Sequence, residues 1–350
     1  MNLAFVNSTH KWGGVKTWTL EVALGLKKLG HNSTIIARKG PFVEKAADLG
    51  LNTWAINFGP DFNPITIYKF CSFFKKNKIE RVLVNVGKDM RTAGVAARLL
   101  NIPVIHRVGL PGDMKNKWNV KLMHFWIKPR ILVPCEYIKN GLLKNLPFLK
   151  PEEITVILTG KEPSPEPPNK VHRPLQFIST SQLNPDKGHK DVLYAFSRLK
   201  KRGYDFHYHI VGTGKIENEL KQLAQTLGLQ DRITWHGFQK DVRKLLRQTD
   251  IFLLPSYSEG LPNSLLEAMA ERLVPIARDV GGVKEVWPDG MQEFLLPYSA
   301  RKKEFEQIIR TVLKMTDYDI LKIKKIVWDT SYKKINFQIK ITELENYIPS

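Results

Sequence analysis

Apolar residues along this chain follow two alternating periods. Short, uniformly apolar runs such as residues 3–6 read as strands buried on both faces. Longer stretches have helical spacing. From 15 to 29, Trp18, Val22, Leu26 and Leu29 share one face, and Gly30 stands where a helix would stop. The alternation continues through a strand at Asn32–Ala37, a strand at 81–86, a helix at 92–100 and a strand at 102–105. Strands alternating with amphipathic helices predict a parallel sheet covered on both sides.

Residues 161–169 break the pattern with four prolines in nine positions, which denies the backbone helix or central-strand hydrogen bonds and reads as a linker. A second α/β series follows, with strands at 175–179, 207–211, Ile251–Leu254 and 294–296, and then a largely helical tail. The expected division is a first domain over 1–165, a second over 171–310 and a helical tail over 311–350 that packs back toward the first. Two doubly wound sheets place ligand crevices at the carboxyl ends of their strands.

Composition adds three points. At 350 residues the chain is long enough for two cores of ordinary size. No run approaches 18 consecutive apolar residues, and the start reads as a strand rather than a signal peptide. The two cysteines, Cys71 and Cys135, indicate neither a disulfide framework nor a cysteine metal site, so a cytoplasmic setting is expected. Charge is the more informative quantity. The net formal charge is +20, and residues 1–165 carry 25 basic against 11 acidic side chains, so the first half attracts polyanions: nucleic acid, anionic lipid or a phosphorylated substrate.

The densest candidate chemistry follows the strand Ile251–Leu254. There Pro255-Ser-Tyr-Ser-Glu259-Gly260-Leu261-Pro262-Asn263-Ser-Leu-Leu-Glu267 passes from strand through a Gly- and Pro-containing loop into a helix. Unpaired N–H groups at such a helix start suit a diphosphate, and a carboxylate further in suits a pair of sugar hydroxyls. Ser264 and Glu267 also have capping-box spacing, and that reading needs no ligand; pattern alone serves both equally. A second cluster, Ser181-Gln182-Leu183-Asn-Pro-Asp-Lys187-Gly188-His189, lies between a strand and a helix, where Lys187 is either a phosphate partner or a solvated turn lysine. Gly13 and Gly14 stand between the first strand and helix, in position for an anion nest. Neither they nor Gly212 and Gly214 complete a G-x-G-x-x-G fingerprint, and the latter pair reads as a structural turn. No cluster of metal-ligand spacing is seen.

These motifs together resemble the glycosyltransferase family that includes sucrose, glycogen and bacterial lipopolysaccharide synthases: family 4 of the GT-B fold. Glu259 and Glu267, eight positions apart within Pro-Ser-x-x-Glu-Gly-Leu-Pro, match its acidic motif. The resemblance implies two Rossmann-like domains facing across a cleft and retaining transfer from a nucleotide-diphosphate-sugar donor, with no separate cofactor, to a hydroxyl of a cell-envelope glycan or lipid-linked acceptor. It assigns His106 and Glu259 to the transferred sugar, Glu267 to the ribose, and Lys187, Gly13 and Gly14 to the donor phosphates. Gln182, Gly260, Leu261, Pro262 and Asn263 complete the donor pocket. Gln182 stands where the family has an arginine, Cys135 where it has serine, Thr159 where it has asparagine, and Glu271-Arg272 where it has a small residue and glycine. Lys161 and Lys284 are the cations available to offset the missing arginine.

The segment 113–128 suggests an anionic membrane surface as a further partner. As a helix it would group Trp118, Leu122, Phe125 and Trp126 on one side and Lys117, Lys121, His124 and Lys128 on another, which fits an interfacial helix at the inner face of the membrane as well as it fits a helix packed on its own domain. Competing readings are a related nucleotide-sugar epimerase, a glycan phosphorylase, and a non-catalytic basic scaffold or nucleic-acid-binding protein. The last has no recognition motif behind it.

Overall fold

The computed structural model describes residues 1–10 and 13–349. The chain divides into two compact units, Met1–Thr159 with Gln338–Ser350, and Gly160–Phe337. The proline-rich stretch therefore belongs to the second unit. There Ser164 donates its amide to the Ala270 carbonyl, and its own carbonyl accepts from Trp328 and Tyr332.

The first unit is a seven-stranded, wholly parallel sheet. Its strands are β1 (Asn2–Asn7), β2 (Asn32–Ala37), β3 (Asn52–Ala55), β4 (Arg81–Val84), β5 (Val104–Arg107), β6 (Arg130–Val133) and β7 (Ile154–Val156), in the order β3-β2-β1-β4-β5-β6-β7. The second unit has six parallel strands: β8 (Leu175–Thr180), β9 (Phe206–Val211), β10 (Ile233–Gly237), β11 (Ile251–Leu254), β12 (Val274–Arg278) and β13 (Leu295–Leu296), ordered β10-β9-β8-β11-β12-β13. Chain order reverses between β1 and β4 in one sheet and between β8 and β11 in the other, and loops splay apart at such switch points to leave a crevice.

Local sequence accounts for these elements. β1 is buried over Leu3–Val6, as its apolar run requires. The helix Gly14–Lys28 buries Trp18, Val22 and Leu26, the face read from the spacing. In the second unit, Phe196 of the helix His189–Lys201 stacks on Phe206 at 4.4 Å and meets Phe177 edge-on at 5.2 Å. This packing fixes the helix over β8 and β9, and with it the loop that precedes the helix. In the first unit the helix expected over 92–100 begins earlier and contains a π-helical turn, Met90–Gly94, between Gly87–Asp89 and Val95–Leu99. π turns of this kind often mark functional sites.

The Glu271-Arg272 pair has a plain structural explanation. Glu271 is buried and takes Arg247 Nε at 2.9 Å as well as Arg243. Arg272 adopts the left-handed backbone (φ 71) that ends the preceding helix, where glycine is the usual choice. It turns its guanidinium outward to the carbonyls of Glu166 and Pro167, at 2.8 and 3.0 Å. The room that an arginine needs there comes from the proline-rich segment.

Candidate functional site

In the second unit the loops after β8 and β11 flank the switch point and are joined directly. The Tyr257 amide donates to the Asp186 carbonyl at 2.7 Å. Gly188 has φ 67, and a Cβ there would fall on the Pro255 carbonyl oxygen, so only glycine allows this approach. From the two loops Lys187 and Glu259 meet: Nζ to Oε1 is 2.7 Å, with both side chains mostly buried. Lys187 Nζ also lies 3.4 Å from the Ser258 carbonyl. Two residues that the sequence separates by 72 positions thus form one charged centre.

The Glu259 loop is held from behind by a third. Gly282 donates its amide to the Gly260 carbonyl at 2.6 Å, and a Cβ on Gly281 would strike the carbonyls of Glu259 and Gly260. The Gly282 amide is spent on this support. The Gly212–Gly214 turn plays the same part under the other loop, where the Leu183 amide donates to the Thr213 carbonyl at 3.0 Å.

The helix Asn263–Ala270 starts directly after the Glu259 loop, with Pro262 as its N-cap and no side-chain cap. Ser264 and Glu267 therefore do not form a capping box. Glu267 instead receives Lys161 Nζ on Oε1 at 3.1 Å, with Lys161 almost wholly buried. Gly260 and Pro262 are buried, Leu261 and Asn263 half-buried. Gln182 is exposed, and its Oε1 accepts from Asn184 Nδ2 at 3.2 Å. It carries no charge into the position where an arginine was expected.

Two groups under these loops were given no role by the sequence reading. Arg278, at the end of β12, is fully buried, donates to Asp191 Oδ2 at 2.8 Å and lies 3.9 Å from the Tyr257 ring centroid. Tyr257 donates its hydroxyl to the same Asp191 oxygen at 2.6 Å. An arginine closing an otherwise apolar strand was the available signal. His189 shares a 2.8 Å hydrogen bond with Ser181 Oγ; burial, and then the neighbouring Lys187, push its pKa down to about 4. It is therefore neutral at neutral pH.

In the first unit, His106 lies near the end of β5 and lines a cavity of about 430 Å³ with Asp61, Arg91, Asp113, Lys117 and His124 among others. Burial, then the nearby His124, lower the His106 pKa to about 4, and its Nδ1 has no hydrogen-bond partner. The helix Trp118–Ile127 borders this cavity. His124 lies on its inner side, almost fully buried with Nε2 3.1 Å from Glu153, and not among the solvent-facing lysines where the spacing had grouped it. Its neighbour Ile127 anchors the same side in the core.

At the other switch point Asp89 ties the loops after β1 and β4. Its carboxylate accepts the amides of Ser8 at 2.9 Å, Asn85 at 3.1 Å and Val86 at 3.0 Å. Gly13 is the N-cap of the helix Gly14–Lys28, with open space where a Cβ would stand. The adjoining positions 11 and 12 lie outside the described residues. Buried Lys16 braces this loop through the Thr9 carbonyl at 2.9 Å. Among the described residues no group of three His, Cys, Asp or Glu side chains is placed to hold a metal ion, and no helix is long and apolar enough to cross a membrane.

Comparison with known proteins agrees with this architecture. The chain is 29% identical over 232 residues to the putative colanic acid biosynthesis glycosyltransferase WcaL of Salmonella typhimurium, a match covering 60% of this chain and 55% of the relative, so the chain spans about half the length of such relatives. It is 26% identical over 283 residues to an Escherichia coli UDP-Gal:alpha-D-GlcNAc-diphosphoundecaprenol alpha-1,3-galactosyltransferase, covering 74% of this chain and 71% of that one. The crystal structure of Anabaena HepE in complex with UDP superposes with a TM-score of 0.82 at 15% identity, covering all of both chains, and shares the fold. Residues 160–322 match the family described as Glycosyl transferases group 1, and residues 12–164 match Glycosyltransferase Family 4. With these two matches spanning residues 12–322 and two parallel Rossmann-like sheets beneath them, the chain belongs to the GT-B-fold glycosyltransferases of the family 4 type.

Proposed function

We propose that this chain transfers a sugar, with retention of its anomeric configuration, from a nucleotide-diphosphate-sugar to a hydroxyl of a cell-envelope glycan or lipid-linked acceptor. The observation that carries the reading is the Lys187–Glu259 pair, held at the β8/β11 switch point beside the open end of the Asn263 helix. A cation next to a helix N-terminus suits a diphosphate, and a carboxylate in the same centre suits the hydroxyls of the attached sugar. Gly260, Leu261, Pro262 and Asn263 shape that pocket, and Glu267, with one oxygen on Lys161, serves the ribose. The second unit is then the donor side and the first unit, with His106 and the Gly13-Gly14 loop, the acceptor side.

In the proposed step the bond between the anomeric carbon and the diphosphate oxygen breaks as the acceptor oxygen approaches from the same face. The acceptor proton passes to the departing phosphate oxygen. Lys187 and the helix amides stabilise the growing negative charge, the kind of preorganised electrostatics that dominates many such barriers. His106 and Glu259 orient the sugar, and neither is a nucleophile in this scheme. The relatives support the substrate classes: HepE holds UDP, the Escherichia coli enzyme is named for UDP-Gal and a GlcNAc-diphosphoundecaprenol, and WcaL is named for colanic acid biosynthesis. Such acceptors would be met at the cytoplasmic face of the membrane.

Incubation with UDP-, GDP-, ADP- and CMP-sugars and a polyprenyl-diphosphate-linked acceptor, with the product anomer read by NMR, tests this. Retention with release of the nucleoside diphosphate is expected; inversion, or epimerised donor without transfer, would contradict it.

A further inference from the structure

The helix Trp118–Ile127 is apolar on two opposite sides. Its inner side is occupied: Ile127 is in the core and Met123 packs against it. Trp118, Leu122, Phe125 and Trp126 project the other way and are 76%, 57%, 50% and 44% exposed. At about 100° per residue these four fall within an arc of roughly 100°, centred about 150° from Ile127. A single exposed leucine is ordinary, but four large apolar side chains including two tryptophans on one ten-residue helix mark an interaction surface. Phe62, Ile65 and Tyr68, also exposed, add apolar area in the same unit.

The surroundings of this stripe identify the partner. Lys115, Lys117, Lys121 and Lys128 are exposed, and among the described residues none of these four ammonium groups pairs with a carboxylate. Elsewhere in the chain lysines commonly do pair, as Lys88, Lys190 and Lys200 show. Uncompensated lysines around a protein partner's apolar anchor would need matching acids; around a Trp-bearing stripe they match the phosphates of a bilayer surface, with the indoles at headgroup depth.

We infer that the helix Trp118–Ile127 is a membrane-docking element that rests its Trp118–Trp126 face on an anionic lipid surface, with Lys115, Lys117, Lys121 and Lys128 on the headgroup phosphates. The same helix lines the His106 cavity through Asn119, Val120 and His124. Docking therefore brings that cavity to the bilayer, where a lipid-linked hydroxyl would be presented. The inference deepens the proposed acceptor reading, but vesicle binding needs neither donor nor turnover. Failure of the transfer assay would leave it standing, and the reverse.

The test is sedimentation of the full chain with vesicles of phosphatidylethanolamine and phosphatidylglycerol, and with phosphatidylcholine vesicles, at low and high salt. Binding to the anionic vesicles is expected, with the phosphatidylcholine signal at least tenfold weaker. Trp118→Ser/Leu122→Ser and Lys117→Gln/Lys121→Gln should each lower the partition coefficient on the order of tenfold, since interfacial binding scales with buried apolar area and with each basic residue near the surface. All four positions are exposed, and circular dichroism melts should match the wild type. A parallel measurement is quenching of tryptophan emission by brominated lipid, which should weaken in Trp118→Phe. Equal binding by the serine variant and the wild type would overturn the inference, as would no binding to anionic vesicles. A concentration-dependent dimer abolished by Trp118→Ser/Leu122→Ser would assign the face to a second copy of the chain and overturn it too.

Discussion

The two sheets share one topology at their switch points and use charge in opposite ways. In the second unit charged groups near the carboxyl ends of the strands pair with one another: Lys187 with Glu259, Lys161 with Glu267, and Arg278 with Asp191 through Nη2, its Nε and Nη1 having no partner. In the first unit the corresponding carboxylate, Asp89, is spent on backbone amides, and the cavity pairs Arg91 with Asp61 at 2.7 Å while the His106 Nδ1 beside it has no hydrogen-bond partner. Among the described residues Lys115, Lys117, Lys121 and Lys128 nearby pair with no carboxylate. Ion pairs poised at a pocket hold its geometry before a charged ligand arrives and can exchange partners when it does. A cavity that keeps a neutral, unpartnered ring nitrogen suits a variable, largely uncharged group. Under the proposed function, the difference would separate a site for a diphosphate from one for a hydroxyl acceptor.

The largest effect expected is at the paired centre. Lys187→Ala and Glu259→Ala should each reduce transfer by about 10²–10³-fold, the range seen when a preorganised charge-stabilising group is removed. Thermal melts should show the fold retained. Near-normal turnover in either variant would break the contrast between the units.

Next in size is Gly188→Ala. Its left-handed backbone costs about 1–2 kcal/mol with a Cβ, and the collision with the Pro255 carbonyl adds to this. Urea unfolding should show a loss of roughly 2 kcal/mol or more, together with weaker nucleotide binding as the two loops part. Stability unchanged by the substitution would mean that the loops are not locked together.

Protonation sharpens the comparison because each unit contains a buried neutral histidine. His106 and His189 have pKa values near 4 when folded, against an ordinary value near 6.5. The unfolded chain therefore binds more protons than the folded one between those values, and stability falls as pH drops through that window. A loss on the order of 1–2 kcal/mol per histidine from pH 7 to pH 5 is expected. In His189→Gln the slope of stability against pH should be shallower, and an unchanged slope would show that His189 does not contribute.

The smallest effect, and the only gain, is at position 182. Gln182→Arg would add a charged donor to an exposed loop position and should tighten UDP binding by about tenfold, the scale of one hydrogen bond to a charged group. Unaltered affinity would place the side chain of 182 away from the phosphates.

Much of this organisation was legible in the sequence because parallel sheets leave a periodic record. The runs at Asn32–Ala37 and Ile251–Leu254 are strands with those bounds, and the loop from Pro255 into the helix was readable from its prolines and glycines. Spacing could not reveal that Lys187 and Glu259 touch, because their contact depends on the β8–β11 pairing across 72 residues. Nor could it exclude a cap at Glu267, which turned on where the helix starts; the carboxylate instead receives Lys161. His124 was misgrouped because a helical wheel assigns faces by polarity, and this histidine is polar, buried and paired with Glu153. Arg272 looked incompatible with a helix end until its guanidinium was seen to reach the Glu166 and Pro167 carbonyls.

Calorimetric titration of UDP into the wild type, Lys187→Ala and His106→Ala tests the central claim most directly. If the Lys187–Glu259 centre of the second unit holds the donor diphosphate, Lys187→Ala should weaken UDP binding by roughly ten- to a hundredfold. His106→Ala, altered only in the first unit, should bind UDP as the wild type does. Loss of binding in His106→Ala with full affinity in Lys187→Ala would contradict the assignment of the two units.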